Sequence, residues 1–257
     1  MKKWAGLAVI LVGAFALWTP QLMFAQGAVV SATSVPILMY HKVMELGPAT
    51  SIMNQRISIN PKKFEQQLQY LHDNNYTTIT VRDLAHAMKV NTYEPRTTVA
   101  LTFDDGTTDF YDTVLPLLQK FHMRATLYAN PGFNGNDDRM THKQLREVAD
   151  SGLVEIAGHS MSHLHMPTIS DDELHYEVFD CKAMLEKITG APVYSFAYPF
   201  GEYNDAVIAE VQSAGFESSV IASEEKPRSP EKMFTIPRRV VSELDTYKTF
   251  IKKLQPR

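Results

Sequence analysis

The residues best suited to chemistry in this chain of 257 residues lie in two short motifs. One is TFDDG at Thr102–Gly106, and the other is HSMSH at His159–His163. Together they supply two adjacent carboxylates and two imidazoles four positions apart. One carboxylate with two imidazoles is a common ligand set for a catalytic divalent metal that keeps a position open for water. The second carboxylate would then be free to accept a proton.

Each motif alone also has an ordinary structural explanation. Two aspartates before a helix can be an N-cap and a solvated carboxylate, and two histidines can be surface or capping residues. Adjacent carboxylates repel each other, however, and a cation bound to one of them relieves that repulsion. Two histidines at this spacing meet on one face if their segment is helical. The combination therefore favours a metal site that joins the Asp104–Asp105 pair to His159 and His163.

Both motifs follow short apolar segments with little polar alternation, which is typical of parallel strands buried on both faces. Helical patterns alternate with these segments and predict an α/β fold, either a barrel or a doubly wound sheet. Such folds keep their sites at the carboxyl ends of the strands, where both motifs fall. Strands are predicted at Val35–Tyr40, Tyr76–Thr80, Thr98–Phe103, Arg124–Ala129, Val154–Ala157, Tyr194–Tyr198, Phe216–Ala222 and Arg238–Val241.

Capping residues mark the predicted helices between these strands. The predicted helix that begins at Ser170 carries a capping box with Glu173 and ends at Gly190. Pro116 interrupts a helical pattern and predicts a kink or a restart there. Further helix starts are predicted at Asn60, Thr141 and Asn204 or Asp205.

The composition excludes some partners and indicates export. A net charge of −4 without basic blocks argues against nucleic acid as the main partner. Residues 1–32 have the pattern of an export signal, with two lysines before an apolar run at residues 4–18 and cleavage expected after Gly27 or Ala32. The alternative is an uncleaved membrane anchor. In either case residues 33–257 are expected to form one secreted or cell-surface domain.

The two motifs resemble those of the NodB-type polysaccharide deacetylases, carbohydrate esterase family 4, and the resemblance extends roughly from Val35 to Leu254. It implies a single-domain, distorted (β/α) barrel of about seven strands. It further implies that Asp104 is the general base. Asp105, His159 and His163 would then hold a divalent metal, usually zinc.

A third segment, FAYPFG at Phe196–Gly201, resembles the family's RxP-aromatic motif. The resemblance implies that Tyr198, Pro199 and Phe200 line the oxyanion and substrate groove. Proline cannot donate a hydrogen bond, so the Phe200 N–H is the candidate oxyanion donor. The sequence departs from the family pattern in having Ala197 where the family has the arginine that orients the catalytic aspartate. The DxxxW motif that usually accompanies this arginine is also missing.

Another cation could orient Asp104. Arg238 and Arg239 lie on the last predicted strand, and alternation would point only one of them inward. We expect Arg238 to be the orienting residue, whereas the alternative is that both arginines are solvated.

The resemblance also implies a general acid, which in the family is normally a histidine in a C-terminal motif, but no histidine follows His175 here. His41 ends the first predicted strand in the sequence MYH, which resembles the poly-β-1,6-N-acetylglucosamine deacetylases of biofilm systems. That resemblance implies that His41 protonates the leaving amine. The alternative is a structural histidine at a strand end.

The chemistry implied is hydrolytic removal of N-acetyl groups from N-acetylglucosamine units of an extracellular polysaccharide, with the poly-β-1,6 type favoured. Peptidoglycan, chitin oligomers and acetyl-xylan are alternative substrates of the same fold. A non-catalytic carbohydrate-binding barrel is an alternative from another class. Membrane association would come through residues 4–18.

Overall fold

The computed structural model describes residues 28–223 and 228–256. Its strands are β1 Val29–Ser31, β2 Ile37–Tyr40, β3 Lys42–Val43, β4 Ser58–Ile59, β5 Thr77–Ile79, β6 Tyr93–Pro95, β7 Thr98–Phe103, β8 Ala125–Ala129, β9 Val154–Gly158, β10 Ser195–Ala197, β11 Ser218–Ile221, β12 Ile236–Pro237 and β13 Arg239–Val240. Its α-helices are α1 Ile52–Ile57, α2 Pro61–Asp73, α3 Val81–Lys89, α4 Leu115–Phe121, α5 His142–Asp150, α6 Asp171–His175, α7 Cys181–Thr189, α8 Asp205–Ser213 and α9 Tyr247–Lys253.

The main sheet is parallel and almost closes on itself. Eight strands follow one another in the order β12-β11-β10-β9-β8-β7-β2-β13, and β5 pairs with β7 beside this path. Only Arg238 separates β12 from β13, so the two ends of the path are halves of one interrupted strand. The sheet is therefore a nearly closed barrel surrounded by helices, as the resemblance implied.

Two apolar clusters fill the fold. A smaller one takes one inward-facing residue from most of the barrel strands, namely Ile37, Ala100, Tyr128, Ala157, Ala197, Val220 and Ile236. The alternate positions of the same strands join a larger cluster with the helices. This alternation fixes which side chains at the strand ends point into the barrel.

The predicted strands are present, with the bounds of Thr98–Phe103 unchanged and the ends of the others shifted by at most two residues. The helix predicted to begin at Ser170 is interrupted by a π-helical turn at Tyr176–Asp180. Pro116 follows another π-helical turn, at Phe110–Val114. A proline cannot donate to the carbonyl four residues earlier, and the wider turn there fits the predicted restart.

The start of the folded domain lies before the expected boundary at residue 33. β1 pairs antiparallel with β6, and Ala32 is buried. Cleavage after Ala32 would remove β1, whereas cleavage after Gly27 would keep it. The apolar run at residues 4–18 lies outside the described residues. No helix in the described part of the chain is both long and apolar enough to span a membrane.

Candidate active site

Parallel register places His41 beside Asp104 at one rim of the barrel. Tyr40 pairs with Phe103, and the Asp104 N–H donates to the Tyr40 carbonyl at 3.0 Å. The next residues of the two strands therefore lie side by side, and alternation points both inward. His41 Nδ1 is buried and has no hydrogen-bond partner among the described residues. Burial lowers the pKa of His41, and the charges of Asp104 and Asp105 oppose this only in part.

Asp104 is held by Arg238, which directly precedes β13, two strands away from β7 in the sheet. The two terminal nitrogens of Arg238 donate to the two oxygens of Asp104, each at 2.6 Å, and Nη1 also reaches Thr102 Oγ1 at 3.2 Å. Arg239, the neighbouring residue, instead donates outward to the Gln255 carbonyl at 2.6 Å. Alternation along this strand thus separates the two arginines as expected.

Asp105 turns away from Asp104 and meets the two histidines. Its Oδ1 lies 3.6 Å from His159 Nε2 and 3.4 Å from His163 Nε2. The three possible ligand atoms lie within 4.8 Å of one another. Asp105 itself has φ +76°, a left-handed conformation that aspartate tolerates better than most residues. This turn points two consecutive carboxylates at different partners.

The hydrogen bonds of His159 fix which of its nitrogens faces Asp105. His159 Nδ1 lies 2.8 Å from the Ala197 carbonyl. A carbonyl can only accept, so Nδ1 carries a proton, and in the neutral imidazole Nε2 then has its lone pair toward Asp105. Ala197, where the family has an arginine, therefore contributes through its main chain. A metal-ligating histidine is usually oriented by such a contact.

The charge states of this set suit a cation. Burial alone would raise the pKa of Asp104, but the charge and hydrogen bonds of Arg238 hold that pKa below its usual range. Burial alone would also raise the pKa of Asp105, but the hydrogen bond and positive charge that a protonated His159 would supply outweigh burial and lower it. Burial, aided by the charge of His159, lowers the pKa of His163 to about 4. A carboxylate and a lone-pair imidazole are the forms that bind metals.

The HSMSH segment is an irregular loop and not a helix. Ser160 and His163 have φ values of +64° and +60°. The Ser160 hydroxyl accepts the His163 N–H at 2.9 Å, and the Asn130 amide donates to the Ser160 carbonyl at 3.1 Å and to the His159 carbonyl. The conditional expectation that a helix brings the histidines together is therefore wrong. The turn does so instead, with ring centroids 4.9 Å apart.

The third motif places its residues at different depths. The Phe200 ring is exposed. It packs edge-on against the His163 ring, with centroids 4.5 Å apart, and stacks on the His165 ring, with centroids 3.9 Å apart. Pro199 is buried beneath it. Tyr198 is only 2% exposed, and its hydroxyl donates to the Phe234 carbonyl at 3.1 Å. The expectation that the Tyr198 side chain lines the groove is wrong, because its ring is buried in the larger apolar cluster that the strands form with the helices.

Sequence reasoning missed two residues near the site. Arg139 Nη2 lies 3.7 Å from Asp105 Oδ1, and no motif pointed to it. Glu177 is buried beneath the HSMSH loop and binds Ser162. The sequence contains a sign of this residue, because Glu177 falls between Leu174 and Cys181 on the apolar face of a predicted helix, where a charged side chain is unusual.

Comparisons with known proteins find similar sequences. The family model described as polysaccharide deacetylase matches residues 91–219. The Bacillus subtilis protein YxkH, whose name assigns it provisionally to the polysaccharide deacetylases, is 26% identical over 208 residues, which cover 81% of this chain and 71% of that protein. A poly-β-1,6-N-acetyl-D-glucosamine N-deacetylase of Staphylococcus epidermidis is 24% identical over 84% of this chain and 81% of its own.

A solved structure shares nearly the whole fold. The Streptococcus pyogenes deacetylase PplD, determined in complex with acetate, superposes with a TM-score of 0.79 at 26% identity. The match covers 89% of this chain and 100% of that one. The span matched by the family model contains Asp104, Asp105 and both histidines of the HSMSH loop, whereas His41 and Arg238 lie outside it.

Proposed function

Because the chain belongs to the polysaccharide deacetylase family, we propose that it hydrolyses N-acetyl groups of N-acetylglucosamine units in an extracellular polysaccharide of the poly-β-1,6 type. The observation that carries this proposal is the separation of two adjacent carboxylates into two roles. Asp104 is clamped by Arg238, and Asp105 faces two imidazoles. A binding domain has no need for a metal set beside a separately held carboxylate.

Asp105, His159 and His163 would hold a divalent metal. The donor set fits, because the three ligand atoms lie within 4.8 Å of one another and His159 Nε2 has its lone pair available. Nitrogen and oxygen donors of this kind suit zinc, although other first-row metals accept them as well. When bound, such a metal supplies Lewis-acid activation of a water and of the acetyl carbonyl.

Asp104 is placed to accept the proton of the attacking water. Its lowered pKa keeps it ionised, and each of its oxygens retains acceptor capacity beyond the one bond to Arg238. The fixed ion pair prevents rotation of the carboxylate. A base held in a single orientation avoids reorganisation during the proton transfer.

His41 is placed to protonate the leaving amine nitrogen. Burial lowers its pKa and so makes the charged form a stronger acid, while the neighbouring Asp104 and Asp105 favour that charged form. Water forms a C–O bond to the acetyl carbon and gives one proton to Asp104. The C–N bond then breaks as His41 gives its proton to the nitrogen, which leaves a free amine and acetic acid that ionises to acetate. The Phe200 N–H is the candidate donor to the oxyanion, and the Phe200 ring borders the site.

The substrate subgroup is supported by the MYH sequence at the end of β2 and by the likeness to the Staphylococcus epidermidis enzyme. The acetate in the PplD structure is the acid product expected of a deacetylase. We further propose that the chain is exported, and that cleavage after Gly27 would leave β1 in its sheet.

The test is acetate release by zinc-loaded protein (residues 28–257) from β-1,6-linked N-acetylglucosamine oligomers. Chitin oligomers, peptidoglycan and acetyl-xylan are assayed in parallel, and Asp104→Asn is the inactive control. Release from the β-1,6 oligomers alone supports the whole proposal. Release from another polymer alone supports a hydrolase but contradicts the proposed poly-β-1,6 substrate. Release from none of them by a folded, zinc-bound protein overturns catalysis and favours a binding barrel.

A further inference from the structure

We infer that Glu177 is a positioning residue that holds the loop of His159 and His163 in its metal-binding shape. This inference rests on the proposed metal site, and it assigns a role to a residue outside the two motifs. Glu177 lies in the π-helical turn between α6 and α7 and is only 1% exposed. Such turns insert one extra residue and often occur at functional sites.

The contacts of Glu177 all go to the middle of the HSMSH loop. Its Oε2 accepts the Ser162 N–H at 2.9 Å, and its Oε1 accepts the Ser162 hydroxyl. Its main-chain carbonyl accepts the Met161 N–H at 3.0 Å. Three donors from two consecutive loop residues therefore end on one residue of a neighbouring turn. Ser162 directly precedes His163, so these bonds restrict the ligand itself.

A buried carboxylate is well matched to this task. The loop is irregular, with left-handed backbone at Ser160 and His163, so its central N–H groups are not paired within a helix or strand of their own. Left unpaired in a buried place, such donors would destabilise this conformation. An ionised carboxylate offers only acceptors, and here each oxygen takes one donor from Ser162.

The charge of Glu177 also points toward a cation. No lysine, arginine or histidine nitrogen in the described part of the chain lies within 4.0 Å of its oxygens. Asp104, the other deeply buried carboxylate at the site, has Arg238. Burial of a charge is costly unless it is compensated. A divalent cation held by His163, one residue from Ser162, would supply that compensation.

The experiment compares zinc affinity, by competition with a chromogenic chelator, with the melting temperature of metal-free protein. Glu177→Gln keeps the size and can keep both contacts to Ser162, but it removes the charge. Ser162→Ala keeps the charge but removes one bond, and Ser162→Thr restores the hydroxyl. Asp180→Asn is the matched control, because Asp180 is exposed in the same turn.

We expect zinc affinity to fall about tenfold in Glu177→Gln and in Ser162→Ala, with rescue in Ser162→Thr and no change in Asp180→Asn. The melting temperature of the metal-free variants should stay close to wild type, while the rise on adding zinc shrinks. If wild type binds zinc and the zinc affinity of Glu177→Gln and Ser162→Ala is unchanged, the positioning role of Glu177 is overturned and the metal site stands. A lower melting temperature of the metal-free variants without any loss of zinc affinity has the same consequence. Wild-type protein that binds no zinc overturns the metal site and this inference with it.

Discussion

Arg238 and Asp104 form a two-point ion pair inside the barrel, with side chains that are only 2% and 4% exposed. The arginine reaches Asp104 from the strand that closes the sheet, so closure of the barrel and orientation of the carboxylate depend on the same residue. The family's usual arginine position is occupied by Ala197. The ion pair thus preserves the arginine–aspartate contact from a different strand.

Replacing Arg238 tests this pair. Arg238→Met should leave a buried, unpaired carboxylate, which raises the pKa of Asp104 and removes the ionised base. We expect a fall in kcat/KM of about 100-fold or more and a loss of about 3–5 kcal/mol in the free energy of unfolding. The measurements are acetate release and urea unfolding. Arg239→Met is the matched control, because that arginine points outward on the same strand. Full activity in Arg238→Met would contradict the orienting role.

Much of this site could be predicted because its residues are local in sequence or follow strand periodicity. Asp104, Asp105, His159 and His163 lie in contiguous motifs at strand ends. The inward position of Arg238 follows from simple alternation. Short apolar segments that alternate with helical patterns also predict the barrel strands, because parallel strands buried on both faces have this composition.

Other features depend on contacts between distant segments, which a single sequence does not specify. The loop shape of HSMSH is set by Asn130, Ser160 and Glu177, whereas spacing alone fitted a helix equally well. Arg139 reaches Asp105 from a polar loop that carries no periodic signal. The burial of Tyr198 could not be predicted, because a ring at a strand end can point either into the core or into the groove. The motif alone does not determine which.

His41 should matter for amide substrates and much less for activated esters. An amine cannot leave without a proton, whereas 4-nitrophenolate leaves readily as an anion. We expect His41→Gln to lower acetate release from N-acetylglucosamine oligomers by about 100-fold or more. Hydrolysis of 4-nitrophenyl acetate by the same variant should stay within a few-fold of wild type. Equal losses on both substrates would assign His41 a structural role.

Zinc binding should require His159 and not His165. His165 stacks on the Phe200 ring close to the site, but only His159 lies in the three-ligand set, and His165 pairs with Glu202 at the surface. We expect His159→Gln to weaken zinc binding by more than about 100-fold, exceeding the loss caused by a supporting residue. His165→Gln should retain zinc. Metal content after dialysis measures both, and zinc retained by His159→Gln would exclude the proposed ligand set.

Glu155 should make stability depend on pH. Its Oε2 accepts the Thr126 hydroxyl at 2.8 Å and the Arg82 N–H at 3.0 Å, while Oε1 is buried without a partner among the described residues. Burial raises the pKa of Glu155. The folded state therefore favours the protonated acid, and this contribution to stability is lost as the pH rises through the folded-state pKa.

Glu155→Gln removes this titration. At low pH, where wild-type Glu155 is neutral, the two proteins should melt at similar temperatures. As the pH rises to neutral, the variant should become more stable than wild type. Its melting temperature should exceed that of wild type by about 2–4 °C for each kcal/mol of difference in the free energy of unfolding. Thermal unfolding across this pH range measures the difference. A constant difference at every pH would show that the folded state does not shift this pKa.

Gly132 should be needed for the shape of the metal-binding loop. Its N–H donates to the Met161 carbonyl at 3.0 Å, and a Cβ atom at this position would lie 2.6 Å from that same oxygen. Real Cβ atoms essentially never approach so closely, and the blocking atom is main chain, so the loop itself must shift. Met161 lies midway between His159 and His163, and its displacement moves both imidazoles.

We therefore expect Gly132→Ala to reduce zinc affinity and kcat/KM by about tenfold or more, with a stability loss of about 1–3 kcal/mol from the clash. Gly47→Ala is the matched control, because nothing lies within 4 Å of a Cβ there. Chelator competition, acetate release and thermal unfolding are measured on both variants. A Gly132→Ala protein with wild-type zinc affinity would mean that the histidines keep their geometry when the main chain between them moves.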